Sequence, residues 1–146
     1  MYTPISRSKP KGLSGFTLME LLVALVIIAI LASLAYPSYI SFIQKSRRSD
    51  AKAALMEISQ QLERYYTQRN TYVSATLGNN GIYPDMSKNG YYKLSLPSAM
   101  LGATVYQIHA TPVGKQTADD CGVFTLDNQG NQTVSQGKIT DVAQCW

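Results

Sequence analysis

One early segment of the chain is continuously apolar. Residues 21–44 contain no charged side chain, a run of 24 positions. As a helix that rises about 1.5 Å per residue, this run would measure roughly 36 Å. The hydrocarbon core of a bilayer is about 30 Å thick. The pattern therefore predicts a helix that crosses a membrane.

The next segment is amphipathic. Its apolar positions recur at intervals of three and four residues, the spacing of one face of a helix. They are Ala51, Ala54, Leu55, Ile58, Leu62, Tyr65 and Tyr66. The opposite face includes Arg48, Lys52 and Glu63. We expect one nearly continuous helix from residue 16 to about 69, bent or locally unwound near Pro37, because proline lacks the N–H that the helix needs.

The remainder of the chain changes to turn residues and short strands. Residues 70–89 are rich in Asn, Gly, Ser, Thr and Pro and indicate a long surface loop. Strand-like stretches follow at 91–96, 104–111 and 122–126, and a weaker one at 132–135. The apolar face of the helix needs a partner surface, which a small antiparallel sheet supplies. The predicted fold class is therefore α+β.

Glu20 is an acid at the start of the apolar segment. A carboxylate inside a membrane costs about 2.5–3.5 kcal/mol on insertion scales, so it needs a function and a partner. A cut after Gly15 would create that partner, the ammonium group of Phe16, one helical turn away. An ordinary secretory signal fits poorly, because its cleavage site follows the apolar region. A plain anchor gives no role to Glu20 or Gly15.

The run Gly15-Phe16-Thr17-Leu18-Met19-Glu20 resembles the class III signal of type IV prepilins and related pseudopilins. Pro37 lies where these proteins carry a helix-interrupting proline. The basic residues that precede the run resemble the short leader of the family; they are Arg7, Lys9 and Lys11. The resemblance implies that a membrane peptidase cuts between Gly15 and Phe16 and methylates Phe16, and that Glu20 and Pro37 act in assembly. Residues 63–66 and the C-terminal end look most like PilE-type minor pilins.

This resemblance implies three regions: a removed leader at 1–15, a transmembrane and filament-core helix at 16–44, and a head at 45–146. Before assembly the subunit would cross the inner membrane once, with a cytoplasmic N-terminus and a periplasmic head, and would later join an extracellular pilus. The two cysteines, Cys121 and Cys145, suit a disulfide in an oxidising compartment. Two unpaired structural thiols are the alternative.

The basic net charge gives little support for nucleic-acid binding. The chain has 13 Lys and Arg against 9 Asp and Glu. The leader accounts for three of these cations, so the mature chain is nearly neutral. Outside the long helix, the candidates for a DNA-binding stripe are Lys88, Lys93, Lys115 and Lys138. On charge alone we expect weak, non-specific binding to DNA.

Candidate catalytic and metal-binding residues are few. His109 is the only histidine and falls in a predicted strand, which favours a structural role. Asp119 and Asp120 are too few oxygen ligands for a cation, so a solvated turn is the preferred interpretation. Neither a metal nor a cofactor is expected. Trp146 is interpreted as a core residue beside the disulfide, with an exposed contact as the alternative.

The sequence thus predicts a structural, minor subunit of a type IV pilus rather than an enzyme. Its partners would be major and minor pilins, the prepilin peptidase, the inner-membrane assembly platform and the inner membrane itself; DNA has the least support. A type II secretion pseudopilin and a DNA-uptake receptor are the alternatives within this architecture. A membrane-anchored enzyme has no visible site.

Overall fold

The computed structural model describes residues 15–146. The basic leader residues Arg7, Lys9 and Lys11 lie outside the described residues. The elements in chain order are α1 (Leu18–Arg69), β1 (Tyr92–Ser95), β2 (Gln107–Pro112), β3 (Val123–Asp127), β4 (Gln132–Ser135) and α2 (Val142–Cys145). Short 3-10 turns lie at Ser98–Met100 and Gly114–Ala118. The fold is α+β, as predicted.

Helix α1 is 52 residues long and contains Pro37. It is helical on both sides of the proline without a break. Of the two effects expected at Pro37, a bend or local unwinding, the structure shows no unwinding: a proline removes one N–H donor, and the adjacent turns remain helical. A bend at this position stays a prediction. The chain divides into two compact units after Pro37, and each is described separately.

The first unit contains the apolar start of α1. None of its 18-residue apolar window is buried inside the protein. Large side chains stay exposed along it, for example Leu25 at 67% and Leu31 at 62%. By length and composition the helix is able to cross a membrane. Its apolar surface requires a partner outside this chain, either lipid or other subunits.

The second unit starts at Ser38 and contains the sheet. Its four antiparallel strands lie in chain order, β1-β2-β3-β4. Strand β4 has the predicted bounds, whereas β2 starts three residues later than expected. The reason is that the residues before β2 contact the β3–β4 turn instead. Asn128 donates its backbone N–H to Tyr106 and its side-chain amide to the Thr104 carbonyl.

The core lies between α1 and one face of the sheet. The predicted helix stripe is confirmed: five of its residues are buried, and Tyr65 and Tyr66 pack at its edge. The buried helix residues are Ala51, Ala54, Leu55, Ile58 and Leu62. The sheet contributes Leu94, Ile108, Ala110, Phe124 and Leu126. Burial of each large aliphatic side chain stabilises the fold by about 1.5–3 kcal/mol.

The C-terminal segment is fixed to this core by a disulfide. Cys121 and Cys145 are bonded, as predicted, with their Cα atoms 5.8 Å apart. Trp146 packs against Phe124 with ring centroids 5.6 Å apart, and its Nε1 donates to the Thr133 carbonyl. Trp146 is partly buried and packs against the core, so it lies between the two interpretations, a core residue and an exposed contact. The last residues of the chain are therefore part of the folded head.

Candidate functional site

The residues at the predicted cleavage site lie just before α1. Gly15, Phe16 and Thr17 are not helical, and Phe16 is 78% exposed. The Thr17 hydroxyl accepts a hydrogen bond from the Glu20 N–H at 3.2 Å. Thr17 and Glu20 thus have the spacing of a capping box, which fixes where the helix begins. A Cβ added to Gly15 would meet no atom within 4 Å, so the fold does not require glycine there.

A buried ion pair joins α1 to the C-terminal segment. The Arg48 guanidinium donates to both Asp119 carboxylate oxygens at 2.6–3.2 Å, and it also donates to the Gln144 carbonyl at 3.2 Å. The side chain of Asp119 is fully buried. This bidentate contact holds Asp119, two positions before the disulfide residue Cys121, against helix α1.

This ion pair corrects two expectations. Arg48 does not belong to the polar face of α1, and Asp119 does not lie in a solvated turn; both are buried. The sequence contained a signal for Arg48, because it precedes Ala51 and Leu55 at helical spacing and so extends the buried stripe. It contained no signal for Asp119, whose partner lies 71 residues away.

Gln116 extends this network to the end of the uncharged run. Its Nε2 lies 3.0 Å from the Tyr92 hydroxyl, 3.0 Å from Asp119 Oδ2 and 3.1 Å from the Gln44 carbonyl. Gln116 is fully buried although it belongs to a short 3-10 turn. The turn that carries Lys115 is therefore attached to the helix at Gln44.

Two acids of α1 hold the long loop that precedes β1. Asp50 accepts hydrogen bonds from the Ser87 hydroxyl at 2.5 Å and from the side chain of Asn89 at 3.0 Å. Glu57 accepts from the Tyr83 hydroxyl at 2.5 Å. Burial, followed by this hydrogen bond, raises the pKa of Tyr83 to about 12. The phenol thus stays protonated at neutral pH and keeps its donor role.

A basic surface forms where this loop reaches β1. The Arg47 guanidinium lies 4.5 Å from the centroid of the Tyr91 ring, a cation–π contact. The carbonyl of Tyr91 accepts from Val113, at the start of the turn that carries Lys115. Lys88 lies in the same loop and Lys93 on β1. Within residues 15–146, neither these lysines nor Arg47 form an ion pair.

A cleft of about 590 Å³ lies beside this surface, between α1 and the loop. Its acidic lining residues, Asp50 and Glu57, are the two that bind loop side chains. Its basic lining residues, Arg47 and Lys88, form no ion pair within residues 15–146. The cleft therefore presents two cationic side chains beside two hydrogen-bonded carboxylates.

The other predicted site residues, Lys138 and His109, also lie in the head. Lys138 forms a surface ion pair with Asp120 at 3.0 Å. His109 bonds to Gln107 within β2, and burial lowers the pKa of its imidazole, so it is neutral at pH 7. Between residues 15 and 146, no group of three or more His, Cys, Asp or Glu side chains is placed to bind a metal ion.

Two family models match the chain. The model described as the type IV minor pilin ComP, DNA uptake sequence receptor, matches residues 37–125, more than half of the 146 residues. The chain belongs to this family of type IV minor pilins. The model of the prokaryotic N-terminal methylation motif matches residues 11–36 of the pilin. That match includes Gly15, Phe16 and Glu20.

Solved pilin structures resemble this minor pilin. The non-core minor pilin PilV of Neisseria meningitidis has a TM-score of 0.55 and 22% identity, and the match covers 70% of this chain and 95% of PilV. This likeness supports the fold. A type IV pilin from Shewanella oneidensis has a TM-score of 0.49 and 27% identity, covering 70% and 97%. A comparison with curated proteins finds no match.

The family membership confirms the predicted function as a minor subunit of a type IV pilus. The family is one of structural fibre subunits. The methylation motif and the exposed apolar helix together indicate a protein that is anchored in a membrane and then enters a pilus. The basic surface near β1 lies within the part of the chain that the ComP model matches.

Proposed function

We propose that this minor pilin is cut after Gly15, methylated on Phe16 and stored in the inner membrane with its head in the periplasm. It then enters a retractable surface fibre with other pilins, where its head binds duplex DNA for uptake. The match to a family described as a DNA uptake sequence receptor is the observation that carries the DNA-binding role. The same match favours a pilin over a type II secretion pseudopilin.

Three exposed lysines support a DNA-binding surface. Lys88 lies in the loop before β1, Lys93 on β1, and Lys115 in the turn that follows β2. The first residue of β1, Tyr92, pairs with Pro112 at the end of β2, so these segments are neighbours. The net charge of the chain predicts only weak DNA binding. DNA phosphates, however, bind to individual exposed cations that lack an ionic partner, so the local arrangement of charge matters more than the average.

The DNA test changes these three lysines together. We expect that replacing Lys88, Lys93 and Lys115 by Ala weakens the binding of the full-length pilin to duplex DNA. The slope of log K against log salt should fall by about 2.7, because each phosphate contact contributes about 0.9. Fluorescence anisotropy at several salt concentrations measures both quantities. A matched variant replaces three exposed cations elsewhere: Arg64, Arg69 and Lys138.

The matched variant has the same net charge as the lysine variant. It should therefore bind DNA almost as well as the unchanged pilin if the surface near β1 makes the contacts. Equal losses in the two variants would mean that DNA responds only to overall charge. The weak, non-specific binding expected from composition would then be the correct description.

Glu20 has two separable roles in this proposal. Its backbone N–H binds the Thr17 hydroxyl at the start of α1, and its charge would pair with the Phe16 ammonium of its own or a neighbouring subunit. Glutamine is compatible with a capping box but has no charge. Both Glu20→Gln and Glu20→Ala keep the backbone N–H that bonds to Thr17 and lose the ion pair. Glutamine in addition keeps a side chain that suits a capping box, which alanine does not.

We expect both Glu20 variants to insert in the membrane and be cut, yet to reach fibres poorly. Without the carboxylate, the Phe16 ammonium would have no partner. An unpaired charge in a low-dielectric site is costly, so assembly into the fibre should be disfavoured. Immunoblots of sheared fibres and of membranes measure the distribution. Glu20→Asp, which keeps a carboxylate, is the control. Normal incorporation of Glu20→Gln would assign Glu20 to capping alone.

A further inference from the structure

The head carries a group of cations near the point where the apolar run ends. Lys45 directly follows Gln44, the last residue of that run. Lys115 belongs to the turn whose Gln116 donates to the Gln44 carbonyl. Lys88 and Arg47 line the cleft that also includes Ile43. We call Lys45, Arg47, Lys88 and Lys115 the collar.

The helix turns just before the collar are apolar and exposed. In the second unit, Tyr39 is 62% exposed, Phe42 68% and Ile40 38%. The head does not bury these side chains, and their apolar surfaces are suited to contact with lipid. The collar therefore follows immediately on the segment that a membrane would enclose, and Tyr91 adds an aromatic ring at the same level. Aromatic and basic side chains concentrate at membrane–water interfaces.

The carboxylates near the collar are engaged with other groups. Asp119 pairs with Arg48, Asp50 binds Ser87 and Asn89, and Glu57 binds Tyr83. The described part of the chain shows no ion pair for any collar residue. Only Asp119 has a cationic partner; Asp50 and Glu57 bond to neutral donors and remain anionic. Four collar cations thus lie near two such carboxylates, a local excess of positive charge in a mature chain that is nearly neutral as a whole.

We propose that the collar binds anionic lipid headgroups while the pilin is anchored in a bilayer. Basic residues next to a membrane span are attracted to an anionic surface within a Debye length. The long aliphatic stems of Lys45 and Lys88 allow their ammonium groups to reach the headgroup layer. The lipid surface thereby holds the loop before β1 and the turn at Gly114–Ala118 against the membrane.

This binding bears on the proposed DNA function, because Lys88 and Lys115 belong to both surfaces. Lipid and DNA would compete for these two lysines, so DNA binding would be favoured in a fibre rather than in the membrane. Lys93 is not part of the collar. The lipid-binding inference itself depends only on membrane anchoring and on the position of the collar, and it survives if DNA binding fails.

The test uses the full-length pilin reconstituted into two kinds of vesicle, phosphatidylcholine alone and phosphatidylcholine mixed with phosphatidylglycerol. We expect amide hydrogen exchange at residues 86–91 and 114–118 to slow by about threefold or more in the anionic vesicles, and high salt to reverse the effect. The β3–β4 turn at residues 128–131 is the internal reference. Equal exchange in the two vesicles would overturn the proposal.

Two variants make the test specific. Replacing Lys45, Lys88 and Lys115 by Gln should abolish the slowing, while Arg47 stays in place to preserve its contact with Tyr91. Replacing Arg64, Arg69 and Lys138 by Gln changes the net charge equally and should leave the slowing intact. Unchanged exchange in β2 and β3 shows that each variant is folded. Slowing that persists in the first variant, or disappears in both, contradicts a role for the collar.

Discussion

Gly15→Val should leave the pilin at full length in the membrane, with no mature form detected. The structure gives no reason for the fold to need glycine here, since an added Cβ would meet nothing within 4 Å. Gly15 also precedes the first helical residue, Leu18, so a β-branched side chain disturbs no helical turn. A demand for a small residue at Gly15 would therefore come from the active site of the peptidase that we propose cuts the chain.

Intact-mass measurement of purified pilin provides the readout. The unchanged protein should begin at Phe16 and carry one added methyl group, whereas Gly15→Val should retain the leader. Ser14→Val serves as the control, because it adds the same side chain one position earlier. A mature mass in Gly15→Val, or a natural N-terminus other than Phe16, would disprove the assigned cleavage site.

Arg48→Ala should lower the free energy of unfolding of the head by about 3–5 kcal/mol, because it leaves a charged carboxylate buried without its partner. Asp119 is surrounded by protein, and its two oxygens are occupied by Arg48 and Gln116. Arg48→Lys should recover only part of the loss, since an ammonium group does not reproduce the bidentate geometry. Chemical denaturation followed by the fluorescence of Trp146 measures the change.

The surface pair Lys138–Asp120 supplies the control for this experiment. Its side chains are 86% and 47% exposed, so Lys138→Ala should cost no more than about 1 kcal/mol. A double change of Arg48 and Asp119 to apolar residues should be less harmful than Arg48→Ala alone, because it removes both charges. Equal effects of Arg48→Ala and Lys138→Ala would show that the buried pair contributes no more than the exposed one.

The sequence was sufficient to predict the elements that follow a simple period. The uncharged run predicted the exposed start of α1, and the three- and four-residue spacing predicted the buried stripe from Ala51 to Leu62. Alternating and β-branched stretches located all four strands within a few residues. These properties are local, since each depends on residues close together in the chain.

Contacts between distant segments were not predictable in the same way. No local pattern indicates that Gln116 reaches Gln44 or that Asp119 reaches Arg48, since each pair is separated by more than 70 residues. The same limit applies to the collar, whose four cations come from three segments of the chain. Charge counted along the sequence averaged these cations with acids from the whole chain.

The buried pair also determines when the head can complete its folding during export. Arg48 binds Asp119 and the carbonyl of Gln144, which lie 71 and 96 residues further along the chain. Contacts of such separation form late, because long loops must close first. The apolar stripe of α1 is covered by the sheet, whose core residues extend to Leu126 in β3, so it remains uncovered at least until β3 has emerged. During that interval the nascent head is open to aggregation and to premature association with neighbouring subunits.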